Sequence, residues 1–171
     1  MNILILQGSP RVKGSTAWMA EEYKNAVEAA GHQVTLVNVA HKRINGCLAC
    51  EYCHTKGNGT CIQKDDMQEL YPLIAEAEVL VLAAPIYYFT LSAQLQATLH
   101  RFYNVPTPPK VKKMALLMSS HSPGVYDAAI AQYKYLCGYW HTEDTGVVTA
   151  KIDEQKTDAV KQKIHDLAAR I

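Results

Sequence analysis

Two rhythms of apolar residues alternate along the chain. Apolar-rich stretches at residues 2–7, 33–39, 79–84, 114–119 and, more weakly, 146–150 predict strands, and the third, apolar throughout, predicts one covered on both faces. Between them the apolar spacing changes to threes and fours, the period of a helix with one buried face. Met19, Tyr23, Ala26, Val27 and Ala30 mark the first helix, with Gly31 placed to close it. Met67, Leu70, Tyr71 and Ile74 mark a second. Asp65 or Asp66 can cap it, with Gln68 or Glu69 completing a capping box, and Pro72 should disturb it after its first turn. Leu91, Leu95, Thr98, Leu99 and Phe102 mark a third, Tyr126, Ala129, Ile130, Tyr133 and Cys137 a fourth, and Val160, Ile164, Leu167 and Ile171 a fifth.

Strand and helix alternate five times with mostly short connections. That order predicts an α/β fold, a three-layer, doubly wound, five-stranded parallel sheet with helices on both faces. A single domain over residues 1–171 is expected. Residues 40–64 form a connection longer than most between strand and helix, and long loops in compact domains tend to carry function. The segment Val105-Pro106-Thr107-Pro108-Pro109-Lys110 is too rich in proline for regular structure and reads as a surface linker. Pro85 is expected to end the third strand, leaving Ile86, Tyr87, Tyr88 and Phe89 as a loop.

Composition narrows the partners. At 171 residues and 49% hydrophobic, the chain can bury most of the surface that its unfolded form exposes. A net charge of +1 without a basic block gives no sign of nucleic acid or a membrane surface as partner. No apolar run approaches membrane-spanning length, and the first residues lack a basic region followed by a cleavage site, so a cytoplasmic protein is expected. Four of the five cysteines fall within residues 47–61 instead of spreading as a disulfide framework.

The segment Gly8-Ser9-Pro10-Arg11-Val12-Lys13-Gly14-Ser15-Thr16 follows the first strand and opens the first helix. A strand that stops in such a loop and restarts as a helix turns backbone N–H groups outward at the positive end of the helix dipole, a ready site for phosphate. Ser9, Ser15 and Thr16 add hydroxyls, and Arg11 and Lys13 add charge. Neither G-x-x-x-x-G-K-[ST] nor G-x-G-x-x-G is present, so a triphosphate loop and a dinucleotide turn are unsupported. The loop also lacks a cysteine nucleophile, and Ala83-Ala84-Pro85 stands where a receiver domain would carry its phospho-acceptor aspartate. The loop therefore cradles a phosphate monoester without cleaving it.

In a sheet of this kind the ligand lies outside the carboxyl ends of the strands, where strand order reverses. Two further loops converge there. Pro85, Ile86, Tyr87, Tyr88 and Phe89 supply flat apolar surface for an aromatic ring system. Ser119, Ser120, His121 and Gly124 can hydrogen-bond polar ring edges or a ribityl chain. A phosphate, a polar tail and a planar heterocycle describe flavin mononucleotide, FMN.

The motifs GSPRVKGST at 8–16, C-x-x-C-x-x-C at 47–53, Cys61 followed by Asp65-Asp66-Met67, and Ala84-Pro85-Ile86-Tyr87-Tyr88 occur in one order over nearly the whole chain. In these the sequence resembles the flavodoxin-like NAD(P)H-dependent FMN reductases and iron–sulfur flavoproteins. The resemblance implies the strand order 2-1-3-4-5 and a tightly bound FMN. Ser9, Arg11, Ser15 and Thr16 would hold its phosphate, and Pro85, Ile86, Tyr87 and Tyr88 would line its ring. It also implies a homodimer or homotetramer. At His100-Arg101 the resemblance leads to an aspartate before the arginine, and histidine stands there instead.

Two-residue spacing lets Cys47, Cys50 and Cys53 converge on a compact centre, and Cys61, seven residues on, completes four thiolates. The iron–sulfur flavoproteins hold a 4Fe–4S cluster with a motif of this kind; zinc and unligated, redox-active thiols are the other readings of the same spacing. Cys137 falls on a helix stripe and reads as a core residue. His41 and His54 flank the cysteines as alternative ligands, and His121 is placed to contact the flavin or to donate a proton. The implied activity is hydride transfer from NAD(P)H to FMN and then to a small electrophile, quinone or free flavin. The alternative is an electron carrier linking FMN, a 4Fe–4S cluster and a ferredoxin-like partner, and a thiol switch without flavin is the third.

Overall fold

The structure, a computed structural model, describes residues 1–105 and 107–171; Pro106, in the expected linker, lies outside the described residues. Ten main elements follow one another as β1 (Asn2–Gln7), α1 (Ser15–Ala29), β2 (Gln33–Asn38), α2 (Met67–Glu76), β3 (Val79–Tyr87), α3 (Ala93–His100), β4 (Lys113–Ser120), α4 (Asp127–Trp140), β5 (Glu143–Lys151) and α5 (Asp158–Ala168). The five long strands are parallel and run in the order β2-β1-β3-β4-β5, the order that the resemblance implied. β1 is the turning point: Ile5 pairs with Leu36 of β2 on one side and with Val81 of β3 on the other.

Alternation along the central strands divides the core in two. Leu4, Leu6, Leu80, Leu82, Leu116 and Met118 point to the face covered by α2, α3 and α4. Ile3, Ile5, Val79, Val81, Ala115 and Leu117 point to the face covered by α1 and α5. Strands buried on both faces are why these stretches read as continuous apolar runs.

Several local expectations are corrected. α2 runs unbroken through Pro72, because Met67, Leu70 and Ile74 are fully packed and outweigh one lost backbone bond. Asp65 caps the helix start, its Oδ1 accepting from Met67 N–H at 3.2 Å, but the full capping box does not form, as Asp66 makes no side-chain cap and the Gln68 amide turns to the Gln63 carbonyl; the Asp65 and Asp66 carboxylates also bind the 40–64 loop, through Asn45 N–H and Arg43 N–H respectively. Ala30 is exposed and is the C-cap of α1, and Ile171 lies beyond the end of α5. Most consequential for the site, β3 continues through Pro85 to Tyr87. β1 pairs no further than Ala83, so at Pro85 no partner remains on that side to miss an N–H.

Candidate functional site

The loop between β1 and α1 is locked before it reaches the surface. Gly8 N–H donates to the Ala83 carbonyl at 2.8 Å, and the Ser92 hydroxyl donates to the Gly8 carbonyl at 2.7 Å. A Cβ at Gly8 would lie 2.5 Å from Ser92 Oγ and 2.8 Å from Leu95 Cβ, so only glycine fits. Ser9 is buried; its Oγ accepts from Arg11 N–H at 3.2 Å, and its carbonyl accepts from the Gln7 and Asn38 side-chain amides, each at 3.3 Å. α1 then opens at Ser15 with Gly14 as N-cap, with no side-chain cap and no acidic residue in its first turn among the described residues. An uncapped helix start of this kind leaves N–H groups and the positive dipole end for an anion.

Beyond Pro85, Ile86 and Tyr87 pair antiparallel with Leu91 and Thr90. Tyr88 and Phe89 form the tip with φ of 46° and 68°, the left-handed conformation that two-residue hairpins require. The aromatic segment is therefore a hairpin, and it holds Tyr88 out at 96% exposure.

Between loop and hairpin lies a cavity of about 370 Å³, lined by Ser9, Arg11, Ser15, Thr16, Pro85, Ile86, Tyr87, Tyr88, Ser119, Ser120 and His121, a volume in the range of small-ligand sites. Thr16 is buried, and its hydroxyl shares a hydrogen bond with Ser119 Oγ at 2.7 Å, tying the start of α1 to the end of β4 at the cavity. His121 is exposed on the rim. Gly124 is not in the lining; it turns the same loop at φ 71°. The residues foreseen for phosphate, ring and tail thus share one cavity, Lys13 and Gly124 apart.

Sequence reasoning missed Gln155, in the segment between β5 and α5, which also lines the cavity. Its side chain accepts from the Ser15 hydroxyl and donates to the Ser120 carbonyl at 2.8 Å. The rule that ligands sit at the carboxyl ends of parallel strands covers this loop as much as the others, and that was the available signal.

The cysteine loop packs against the other end of α3. Arg101 is buried, and its guanidinium donates to Asp65 Oδ2 at 2.6 Å, the Asn45 carbonyl at 3.1 Å, Cys61 Sγ at 3.3 Å and Tyr71 Oη at 3.3 Å. The acidic partner of this arginine thus comes from Asp65, not from position 100. Burial pushes the Asp65 carboxyl up, but the Arg101 hydrogen bond, the Asn45 and Met67 N–H groups and the Arg101 charge outweigh it and hold the pKa below the usual carboxylate value. Cys47 and Cys50 are exposed, and Cys53 and Cys61 half-buried. Burial, and then the charges of Cys61, Cys47 and Glu51, push the Cys53 thiol up. The described residues contain no group of three or more His, Cys, Asp or Glu gathered for a metal ion. His41 Nε2 donates to the Pro10 carbonyl and His54 Nε2 to the Tyr103 carbonyl, each at 2.9 Å, so both rings already have partners. No helix of the described residues is long and apolar enough to cross a membrane.

Comparison with known proteins agrees with this geometry. The sequence model described as NADPH-dependent FMN reductase matches residues 1–165. An iron–sulfur flavoprotein of Archaeoglobus fulgidus is 34% identical over 112 residues, which cover 66% of this chain and 50% of that protein. The chain spans about half the length of the curated relatives it matches. A crystal structure of RosB with a bound 8-demethyl-8-formylriboflavin-5'-phosphate intermediate has a TM-score of 0.81 at 16% identity, covering 99% of this chain and 76% of that one. The NAD(P)H:quinone oxidoreductase of Methanothermobacter marburgensis has a TM-score of 0.74 at 16% identity, covering 99% and 93%. At these identities the solved structures show a shared fold.

Proposed function

The chain belongs to the NADPH-dependent FMN reductase family, and from that premise we propose that it is an FMN-dependent NAD(P)H oxidoreductase acting on a small electrophile, quinone or free flavin. One observation carries the reading: the uncapped, acid-free start of α1 opens into the same cavity as the aromatic hairpin of Tyr87 and Tyr88. An anion cradle and a flat apolar wall side by side suit FMN and would serve a simple phosphate poorly. When bound, FMN supplies the capacity to take a hydride from a nicotinamide and pass it on.

The protein's part is placement. Arg11, Ser15 and the first N–H groups of α1 bind the phosphate. The Ser119 and Ser120 side of the cavity orients the polar tail. Ile86, Tyr87 and Tyr88 exclude water from the ring, and His121 on the rim is positioned to hold a proton for an incoming acceptor. We expect a homodimer or homotetramer, which sedimentation would check.

Purification without oxygen, followed by a visible spectrum and steady-state oxidation of NADH and NADPH, tests the proposal. Flavin bands and nicotinamide turnover are expected. A colourless protein that takes up no added FMN would overturn it.

A second reading, an electron carrier with a 4Fe–4S cluster on Cys47, Cys50, Cys53 and Cys61, is supported by the place of all four in one loop and by the likeness to iron–sulfur flavoproteins. The donor set is right in kind, but its thiols are not gathered in this structure, so no step is assigned to a cluster. About four iron and four sulfide per chain in the same sample, with poor turnover on nicotinamide alone, would favour this reading.

A further inference from the structure

The segment between β5 and α5 is a braced turn. Glu154 N–H donates to the Lys151 carbonyl at 2.9 Å, and Thr157 N–H to the Glu154 carbonyl at 3.3 Å. Lys156 takes a left-handed φ of 62°, and its ammonium donates to the Lys13 carbonyl at 3.0 Å, inside the phosphate loop. The turn therefore presents Gln155 across the mouth of the cradle in one orientation. A carbonyl can only accept, so the contact with the Ser120 carbonyl assigns the amide nitrogen to that side and leaves the amide oxygen for the Ser15 hydroxyl.

Ser15 is the first residue of α1 and has one hydroxyl proton to give. That proton cannot serve the Gln155 amide and a phosphate oxygen at once. We propose that Gln155 is an internal competitor for the flavin phosphate: its side-chain oxygen holds the hydroxyl proton of Ser15 that a phosphate oxygen needs, so Gln155 sets how tightly the cradle retains FMN. The inference rests on the reading of this cavity as an FMN site. A phosphate dianion is a stronger acceptor than a neutral amide, so the exchange proceeds, but the affinity is reduced by the bond given up. A flavin without phosphate asks nothing of Ser15 and does not meet the competition.

The test is titration of the full chain with FMN and, in parallel, with riboflavin, following flavin fluorescence for the wild type, Gln155→Ala and Gln155→Glu. Gln155 is half-buried and outside the helices and strands, and a thermal melt of each variant checks the fold. Gln155→Ala is expected to bind FMN about two- to tenfold more tightly, the worth of one neutral hydrogen bond, with riboflavin unchanged. Gln155→Glu, which sets a carboxylate beside the phosphate, is expected to weaken FMN by about tenfold or more and again to spare riboflavin. Unchanged or weaker FMN binding by Gln155→Ala would overturn the proposal, making Gln155 a bystander or an ordinary ligand. An equal gain for both flavins would overturn it too, since the effect would then be steric. Failure of the wild type to bind either flavin would instead remove the FMN reading itself.

Discussion

Arg101 and Asp65 stand 36 positions apart and meet at 2.6 Å, the guanidinium side chain 1% exposed and the carboxylate 9%. This one pair joins the end of α3 to the start of α2, and through Asn45 and Cys61 it fastens both ends of the cysteine loop. Arg101→Met should therefore cost about 3–5 kcal/mol, since it leaves a buried carboxylate without its cation. Replacing both partners, Arg101→Met with Asp65→Leu, should recover part of the loss. Urea unfolding of the three proteins decides it, and a double variant no more stable than the single would refute the charge argument.

The same pair gives stability a defined pH dependence. Asp65 titrates lower in the folded protein than its unfolded value of about 3.9. Its contribution is thus complete above that value and is lost as pH falls through the lower, folded one. At the alkaline end, burial pushes Tyr71 up to about 12, and burial raises Tyr23 and Tyr133 as well. Groups raised in this way stabilise below their unfolded value of about 10, and stability should fall as pH rises beyond it. Urea midpoints measured across pH should show a shallower acid limb in Asp65→Asn and a shallower alkaline limb in Tyr71→Phe.

Gly8→Ala should destabilise by about 1–3 kcal/mol, because the new methyl meets Ser92 Oγ and Leu95 Cβ inside van der Waals contact. The shift would also move the carbonyl that Ser92 binds and with it the start of the phosphate loop. Flavin retention should fall together with the melting temperature.

Arg11→Ala combined with Ser15→Ala removes a charge and a hydroxyl from the phosphate side of the cavity. Loss of charge-assisted hydrogen bonds at about 1.5–3 kcal/mol each should weaken FMN by tenfold or more and leave riboflavin binding nearly unchanged. Equal FMN content in wild type and double variant after gel filtration would remove the phosphate assignment.

Thiol reactivity should follow exposure and charge. Cys47 and Cys50 are exposed; Cys53 is half-buried with its thiol pushed up by burial and by the neighbouring Cys61 and Cys47; Cys137 is buried and raised in the same direction, mainly by burial. Timed alkylation at pH 8 with peptide mass spectrometry should label Cys47 and Cys50 before Cys53, and Cys137 only on unfolding. Early labelling of Cys137 would contradict its placement in the core.

The alternation of strand and helix, the parallel sheet, and the meeting of the Gly/Ser/Thr-rich loop with the aromatic segment at one cavity were legible in the sequence alone. Each is written in neighbouring residues: a run of apolar positions, a Gly/Ser/Thr-rich turn, an apolar spacing of threes and fours. What required the tertiary structure was which individual groups of distant segments meet. Pro85 looked like the end of a strand because proline lacks an N–H, and only the sheet shows that β1 has already stopped at that level. Asp65 reads in the sequence as a helix cap, and it is one, but only folding brings the same carboxylate to Arg101. Gln155 is marked only by its place after a parallel strand; its contact with Ser15 spans 140 positions. Local pattern determines which elements form, because the backbone and its nearest side chains decide it. Which polar groups end up facing one another is decided by packing, because a buried donor or acceptor must find a partner wherever the fold provides one.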